Sequence, residues 1–282
     1  MSDNLAAPRF PEPTRPEEPE TMPSPVRYEV DGQLQVATIT LARPQKLNAM
    51  DRQTFAELES AAAAAATDVA VRAVLVTGEG RAFSSGLDVA EFSGRADLDE
   101  AEAVVAELQR AISALERMPK PVVAAVNGLA VGGGLQLAIA CDLRIASEDA
   151  QFAAMEMRWA IVPDLGGTER LPRLIGLGRA KELILTGRPV RAAEAERIGL
   201  VTRVVPPERL ATEATELAAG LAAGPTLALG LAKQALNESF DRSTADGMAA
   251  AKRMQRQTFA STDHAEARTA FAERRPPRFS GH

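Results

Sequence analysis

A chain of 282 residues, 46% apolar and 25% charged, is long enough for one large domain, or one domain with a smaller appendage, around a sizeable core. Its net charge of −6, with no dominant lysine/arginine cluster, argues against nucleic acid and anionic membrane as partners. The single cysteine, Cys141, excludes an internal disulfide framework and fits a reducing cytoplasm, and the only histidines, His264 and His282, make a histidine-based metal site or triad improbable.

In chain order, residues 1–25 hold seven of the eighteen prolines, several acids and no apolar stretch of a secretory leader, which predicts a disordered tail. Tyr28 to Leu41, interrupted by Asp31-Gly32, predicts a β-hairpin. Asp51 is placed to cap a helix running through the alanines 61–66. A strand is expected over Val71–Thr77, a helix over Asp97–Arg117, and a strand over Val122–Val126 once Met118-Pro119-Lys120-Pro121 has stopped that helix. A short helix after Gly134 and a strand over Leu143–Ala146 follow, so strands and helices alternate to about Val205: an α/β core over 26–205. Beyond Pro206-Pro207 the expectation is all helix, over Glu208–Ala223, Thr226–Ser239 and a third region Ser243–Ala272, a C-terminal subdomain over 206–282. No strict internal repeat is visible.

The run Asn127 to Asp142 is apolar enough to suggest a membrane helix, but Gln136 and Asp142 interrupt it and Pro121 and Asn127 break it on the other side. A buried strand-turn-helix is the better reading. Its three glycines, Gly132 to Gly134, open a helix, where bare N–H groups and the positive end of the helix dipole suit an anion. Neither the dinucleotide fingerprint nor a P-loop fits the residues around them. A reacting oxyanion, or close helix packing alone, remains. A second small-residue turn, Gly78 to Phe92, could be read as a nucleophile elbow at Ser84, but position 82 is alanine and the nearest histidine lies in the helical tail.

Taken in order, several strings resemble the crotonase (enoyl-CoA hydratase/isomerase) superfamily. They are Arg43-Pro44-Gln45-Lys46-Leu47-Asn48-Ala49-Met50, Arg81-Ala82-Phe83-Ser84-Ser85-Gly86-Leu87-Asp88, and Lys120 to Gly128 leading into the triple glycine. Cys141-Asp142, Ala150-Gln151-Phe152, Pro163-Asp164-Leu165-Gly166-Gly167-Thr168 and Leu185-Thr186-Gly187-Arg188 complete the set. Each is weak alone, and their order and spacing together are specific. The resemblance implies an α/β spiral of ββα units with a helical C-terminal subdomain, an acyl-CoA thioester as substrate, no metal or redox cofactor, and assembly as a homotrimer or dimer of trimers.

By position, the resemblance makes the backbone N–H groups of Leu87 and Gly133 the donors to a thioester enolate. Two preorganised amides can each be worth about 3 kcal/mol at a developing oxyanion, and glycine at 133 would keep a Cβ away from the carbonyl. Hydratases of the family use two glutamates. The second is Glu156 here, but the first is Gln136, whose amide can orient water yet cannot take its proton. Asp164, eight residues after Glu156, gives a spacing similar to the dienoyl-CoA isomerase branch, although that branch has an aspartate where Gln136 stands. The alternative for Asp164 is an Asx-turn or helix cap, and for Glu156 an acid solvated or paired with Arg158.

Lys46 and Arg81 fall where members contact the CoA nucleotide. Leu47, Ser85, Gly86, Asp88, Gly132 and Gln136 are grouped with them as substrate-binding, Asp88 reading more as a shaper of its loop. Trp159 reads as a core residue that could instead line an acyl pocket. These features imply enoyl-CoA hydratase/isomerase chemistry, with isomerisation slightly ahead of hydration. A non-catalytic acyl-CoA-binding or scaffolding homologue is the alternative.

Overall fold

Val26–Asp31 (β1) and Val36–Leu41 (β2) form the expected hairpin, with Val26 opposite Leu41 and Asp31 opposite Val36. Asp31 organises the turn, its Oδ1 accepting the N–H groups of Gln33 and Leu34. This computed structural model describes residues 24–92 and 97–282. The tail expected over 1–25 lies outside those residues except at its end, and there the expectation needs correction. Pro25 is buried and its carbonyl accepts Ala42 N–H at 2.8 Å, so the sheet begins before the first strand-like side chain.

Arg52–Thr67 (α1) starts where Asp51 Oδ1 accepts Thr54 N–H at 2.8 Å. A unit of strand, very short strand and helix then recurs. Ala73–Gly78 (β3) and Ala82–Ser84 (β4) lead through a four-residue helix, Val89–Phe92 (α2), to Leu98–Arg117 (α3). Val122–Val126 (β5), Leu129–Val131 (β6) and Gly133–Ala140 (α4) repeat it, as do Leu143–Ser147 (β7), Gln151–Ala153 (β8) and Gly167–Ile175 (α5). Leu177–Thr186 (α6), Val190–Arg191 (β9), Ala192–Ile198 (α7) and Arg203–Val205 (β10) close this part of the chain.

The first strand of each unit enters a six-stranded sheet, β1-β2-β3-β5-β7-β10, and the second a four-stranded sheet, β4-β6-β8-β9. Each unit therefore advances both sheets by one parallel strand, the α/β spiral of ββα units that the resemblance implies. The repeat escapes sequence inspection because β4, β6 and β8 have three residues each, too few to show a period.

Burial on both faces makes the central strands continuous apolar runs, as in β5. Val74, Val76, Val122, Ala124 and Val126 face one core with α1, α3 and α4. Ala73, Leu75, Val123, Ala125 and Ile145 face another, covered by Leu210–Ala222 (α8) through Leu210, Ala214, Ala218 and Ala222, spaced at one helical turn. All eight residues of α4 are buried, so the apolar run 127–142 is core. Among the described residues, no single helix is long and apolar enough to cross a membrane.

After α8 come Thr226–Glu238 (α9), Thr244–Phe259 (α10) and Thr262–Glu273 (α11). The single helical region expected over Ser243–Ala272 is thus two helices. Ser261 Oγ accepts His264 N–H at 3.0 Å and starts the second one.

Candidate active site

The first units of the spiral bring their loops together around a cleft of about 680 Å³. One wall is the turn after β4. Met50 and Leu87 form an isolated parallel bridge in which Met50 N–H donates to Gly86 O at 2.8 Å and Asp88 N–H to Met50 O at 2.9 Å. In such a bridge the residue between the two bonds turns its own N–H to the opposite edge. Leu87 N–H accordingly has no acceptor among the described residues. The other wall is the start of α4, where Gly133 N–H, the first of the helix, also has none. The two loops touch: a Cβ on Gly86 (φ +98°) would stand 3.3 Å from Gly133 N and 2.8 Å from Val131 O.

The three consecutive glycines answer to three different constraints. Gly132 has φ 54° and ψ −121°, a conformation L-residues avoid, and its missing Cβ would point at Glu156 Oε1 from 3.6 Å. Gly134 packs on β4: a Cβ there would collide with Ser84 O. A Cβ on Gly133 would meet only Met50 Cε at 3.3 Å, Leu165 Cδ1 at 3.6 Å and Gly86 Cα at 3.7 Å. Those neighbours are largely flexible side-chain ends, so within the protein position 133 carries the mildest steric demand of the three. Gly134 thus answers to packing, while the turn before it also leaves N–H groups open.

Across the cleft lies Glu156, at the start of a 3₁₀ turn over Glu156–Trp159, and only 7% exposed. Its Oε1 accepts Gln136 Nε2 at 2.8 Å, while Oε2 is buried without a partner among the described residues. No ion pair with Arg158 forms. Burial pushes the Glu156 carboxyl above its usual range, the Gln136 hydrogen bond opposes this, and the Asp164 charge adds to it. Asp164, also facing the cleft, is pushed up by burial as well. It caps nothing: α5 begins at Gly166-Gly167 with no side-chain cap, and Asp164 instead uses its backbone, accepting Gln109 Nε2 of α3 at 2.6 Å.

Lys46, Ser85, Gly86, Leu87, Asp88, Gly132, Gly133, Gln136, Glu156 and Asp164 all line this cleft. Leu47 and Arg81 do not. They border a separate crevice with Asn127 and Gln151. Asp88 is tied inward by Arg43 Nη2 at 3.0 Å and Lys46 Nζ at 2.8 Å, which hold its carboxyl below the usual range, Lys46 foremost. Ser84 is fully buried between Asn48 O and Gly86 N–H, which rules out a hydrolytic role for it. Trp159 is 61% exposed, correcting its assignment to the core: it stands at the cleft mouth with Ile161.

Sequence reasoning missed the residues that hold these loops. Asn48 donates to Glu79 O and Ala82 O and accepts Arg43 N–H, pinning two loops at once. Arg170 reaches from α5 to Leu165 O at 2.9 Å and to Glu116 of α3 at 2.5 Å, fixing the turn that carries Asp164. Asn48 lay within a recognised string. Arg170 carried no such signal.

Similarity to known proteins follows the same boundaries. Residues 31–282 match the family model described as enoyl-CoA hydratase/isomerase. The chain is 41% identical over 251 residues to the protein named "Probable enoyl-CoA hydratase echA8" of Mycobacterium tuberculosis, covering 89% of this chain and 96% of that one. It is 40% identical over 245 residues to a crotonyl-CoA hydratase of Syntrophomonas wolfei, covering 86% and 94%. A crystal structure of an enoyl-CoA hydratase from Bacillus anthracis superposes with a TM-score of 0.86 at 36% identity, covering 92% of this chain and all of that one. With a cleft formed by the matching strings, and with matches of this length and identity, the chain belongs to the enoyl-CoA hydratase/isomerase family.

Proposed function

We propose that this protein acts on an unsaturated acyl-CoA thioester, holding its enolate oxygen between Leu87 N–H and Gly133 N–H and moving a proton with Glu156 and Asp164. Double-bond isomerisation is favoured over hydration. The observation that carries this reading is the commitment of Gln136, whose oxygen accepts Gly167 N–H and whose nitrogen donates to Glu156, so that the position expected to hold a hydratase's first glutamate supplies no base for water. The two acidic side chains facing the cleft with raised pKa values are Glu156 and Asp164. A proton leaves one substrate carbon for a carboxylate as the electron pair moves to the thioester oxygen. The enolate then collapses as a carbon farther along the chain is protonated. Coenzyme A enters as part of the substrate, and the chemistry calls for no metal or redox cofactor.

Hydration is the second reading, favoured by the names of the relatives, with Glu156 as its lone base. A substrate panel decides. Appearance of a thioester-conjugated diene from 3,5-dienoyl-CoA supports isomerisation, and loss of 2-enoyl-CoA absorbance supports hydration. Binding of both without turnover overturns the enzymatic reading in favour of a scaffold. The proposal extends to a cytoplasmic homotrimer or dimer of trimers. Leu236, Phe240, Met248, Phe259 and Phe271 stand exposed on and around the C-terminal helices and support self-association. A monomeric mass by light scattering would remove that extension.

A further inference from the structure

Gln136 is buried on α4, within a site where its type differs from the glutamate expected of hydratases. Its orientation is forced. Gly167 N–H, at the start of α5, can only donate, and the atom 2.8 Å from it must be the amide oxygen. The amide nitrogen then faces Glu156 Oε1 at 2.8 Å. Gly167 N–H also approaches Pro163 O at 3.1 Å, so the loop carrying Asp164 is tied to the same point. On its remaining side Oε1 faces Gly132, whose absent Cβ would lie 3.6 Å away. One oxygen of Glu156 is thus enclosed by protein, and the other, Oε2, is buried with no protein partner among the described residues.

We infer that Gln136 is a positioning residue that clamps Glu156 Oε1 to the N-terminus of α5 and so fixes the carboxylate in the one orientation from which it exchanges protons with the substrate. The inference rests on the reading of Glu156 as an acid/base. The clamp acts in two ways. It removes the rotation of the carboxylate about its stem, leaving a single geometry toward the substrate. It also supplies a neutral donor to the carboxylate, favouring the ionised, basic form against the burial that opposes it. A glutamate at 136 could take Gly167 N–H equally well. It would face Glu156 with a second acceptor, so one of the pair would have to hold a proton.

The charged groups around Glu156 are Asp164 on the loop before α5, Lys46 and Asp88 on the facing wall, and Arg158 on its own turn. None of them is altered by Gln136→Met or Gln136→Leu, which keep much of the volume and remove the donor. Using whichever of 2-enoyl-CoA and 3,5-dienoyl-CoA the wild type turns over, both variants should lose roughly 10- to 100-fold in kcat. KM should change less than about threefold, and the acid limb of the pH profile should move up by about one pH unit. Wild-type kcat and an unmoved acid limb in folded variants overturn the inference. Glu156→Gln serves as the reference. If it is fully active, the proposed function fails first; if it is inactive while Gln136→Met is normal, only the clamp fails. A double-mutant cycle of Gln136→Met and Glu156→Gln on thermal unfolding needs no substrate: non-additive changes in stability, whatever the sign of each single change, support the clamp, and additive ones overturn it.

Discussion

Two buried carboxylates in this protein have opposite surroundings. Asp263, at the start of α11, is 3% exposed and has both oxygens occupied: Oδ1 accepts Ser280 N–H and Oγ–H, and Oδ2 accepts Gly281 N–H at 2.9 Å. The strap is reciprocal, since Asp263 N–H donates to His282 O at 3.0 Å. Glu156 is buried nearly as deeply but has a single protein partner, with Oε2 left bare. A fully paired carboxylate fastens a chain end. A half-paired one retains an unused lone pair in a low-dielectric cleft, costs stability, and is available for a proton.

The sharpest way to break this comparison is to neutralise each acid in turn. Glu156→Gln should cut turnover roughly 10²-fold or more, with a much smaller change in KM because the enolate donors are backbone groups. Asp164→Asn should fall comparably if the pair relays a proton. The combined loss should then be well below the product of the single losses, as steady-state kinetics of the double variant will reveal. A silent Asp164→Asn beside an inactive Glu156→Gln would instead make Asp164 a turn residue. Gln136→Glu then separates the remaining chemistries: a sharp gain in water addition to 2-enoyl-CoA indicates a hydratase site short of one base, and no gain favours isomerisation.

Asp263→Asn should act on stability. One of its two amide contacts becomes donor against donor, costing about 1–3 kcal/mol, read as a lower Tm with turnover per folded molecule within about twofold. Equal Tm values would show that the strap carries no stability and would erase the contrast.

Glu156→Gln should, in the same calorimeter, gain stability. The sign follows from its raised carboxyl pKa. Above the folded pKa the ionised acid destabilises the native state, whereas below the unfolded carboxyl pKa both states are protonated and the penalty is gone. The variant's advantage should therefore be present near neutral pH and vanish in acid. Activity that requires the ionised base should fall as pH drops through that raised value, placing the acid limb above the ordinary carboxylate range.

The difference between two neighbouring glycines gives a finer test. Gly132→Ala must adopt a left-handed φ and carry a methyl toward Glu156, at about 1–3 kcal/mol, whereas Gly133→Ala meets only Met50 and Leu165 side-chain ends. Tm should fall more at 132 than at 133, as thermal unfolding will show, and the reverse order would contradict the strain assigned to Gly132.

The local and the regular were legible in the sequence. The β1–β2 hairpin, the Asp51 cap of α1, the long α3 and the apolar β5 follow from turn residues, capping and periodicity within a few positions. Ordered strings located the turns that carry Leu87, Gly133, Glu156 and Asp164, and the cleft assembles around all four. Tertiary structure alone decided the rest, since those facts depend on residues far apart in the chain. Three-residue strands exist only because a neighbouring strand supplies their partners. Trp159 left its expected place because loop direction, which no periodicity encodes, turned it to the mouth of the cleft, while Arg81 borders a second crevice. Gln136 reads in sequence as a lost base. Its meaning comes from Glu156 twenty residues on and Gly167 thirty-one residues on, which folding brings to either end of one amide.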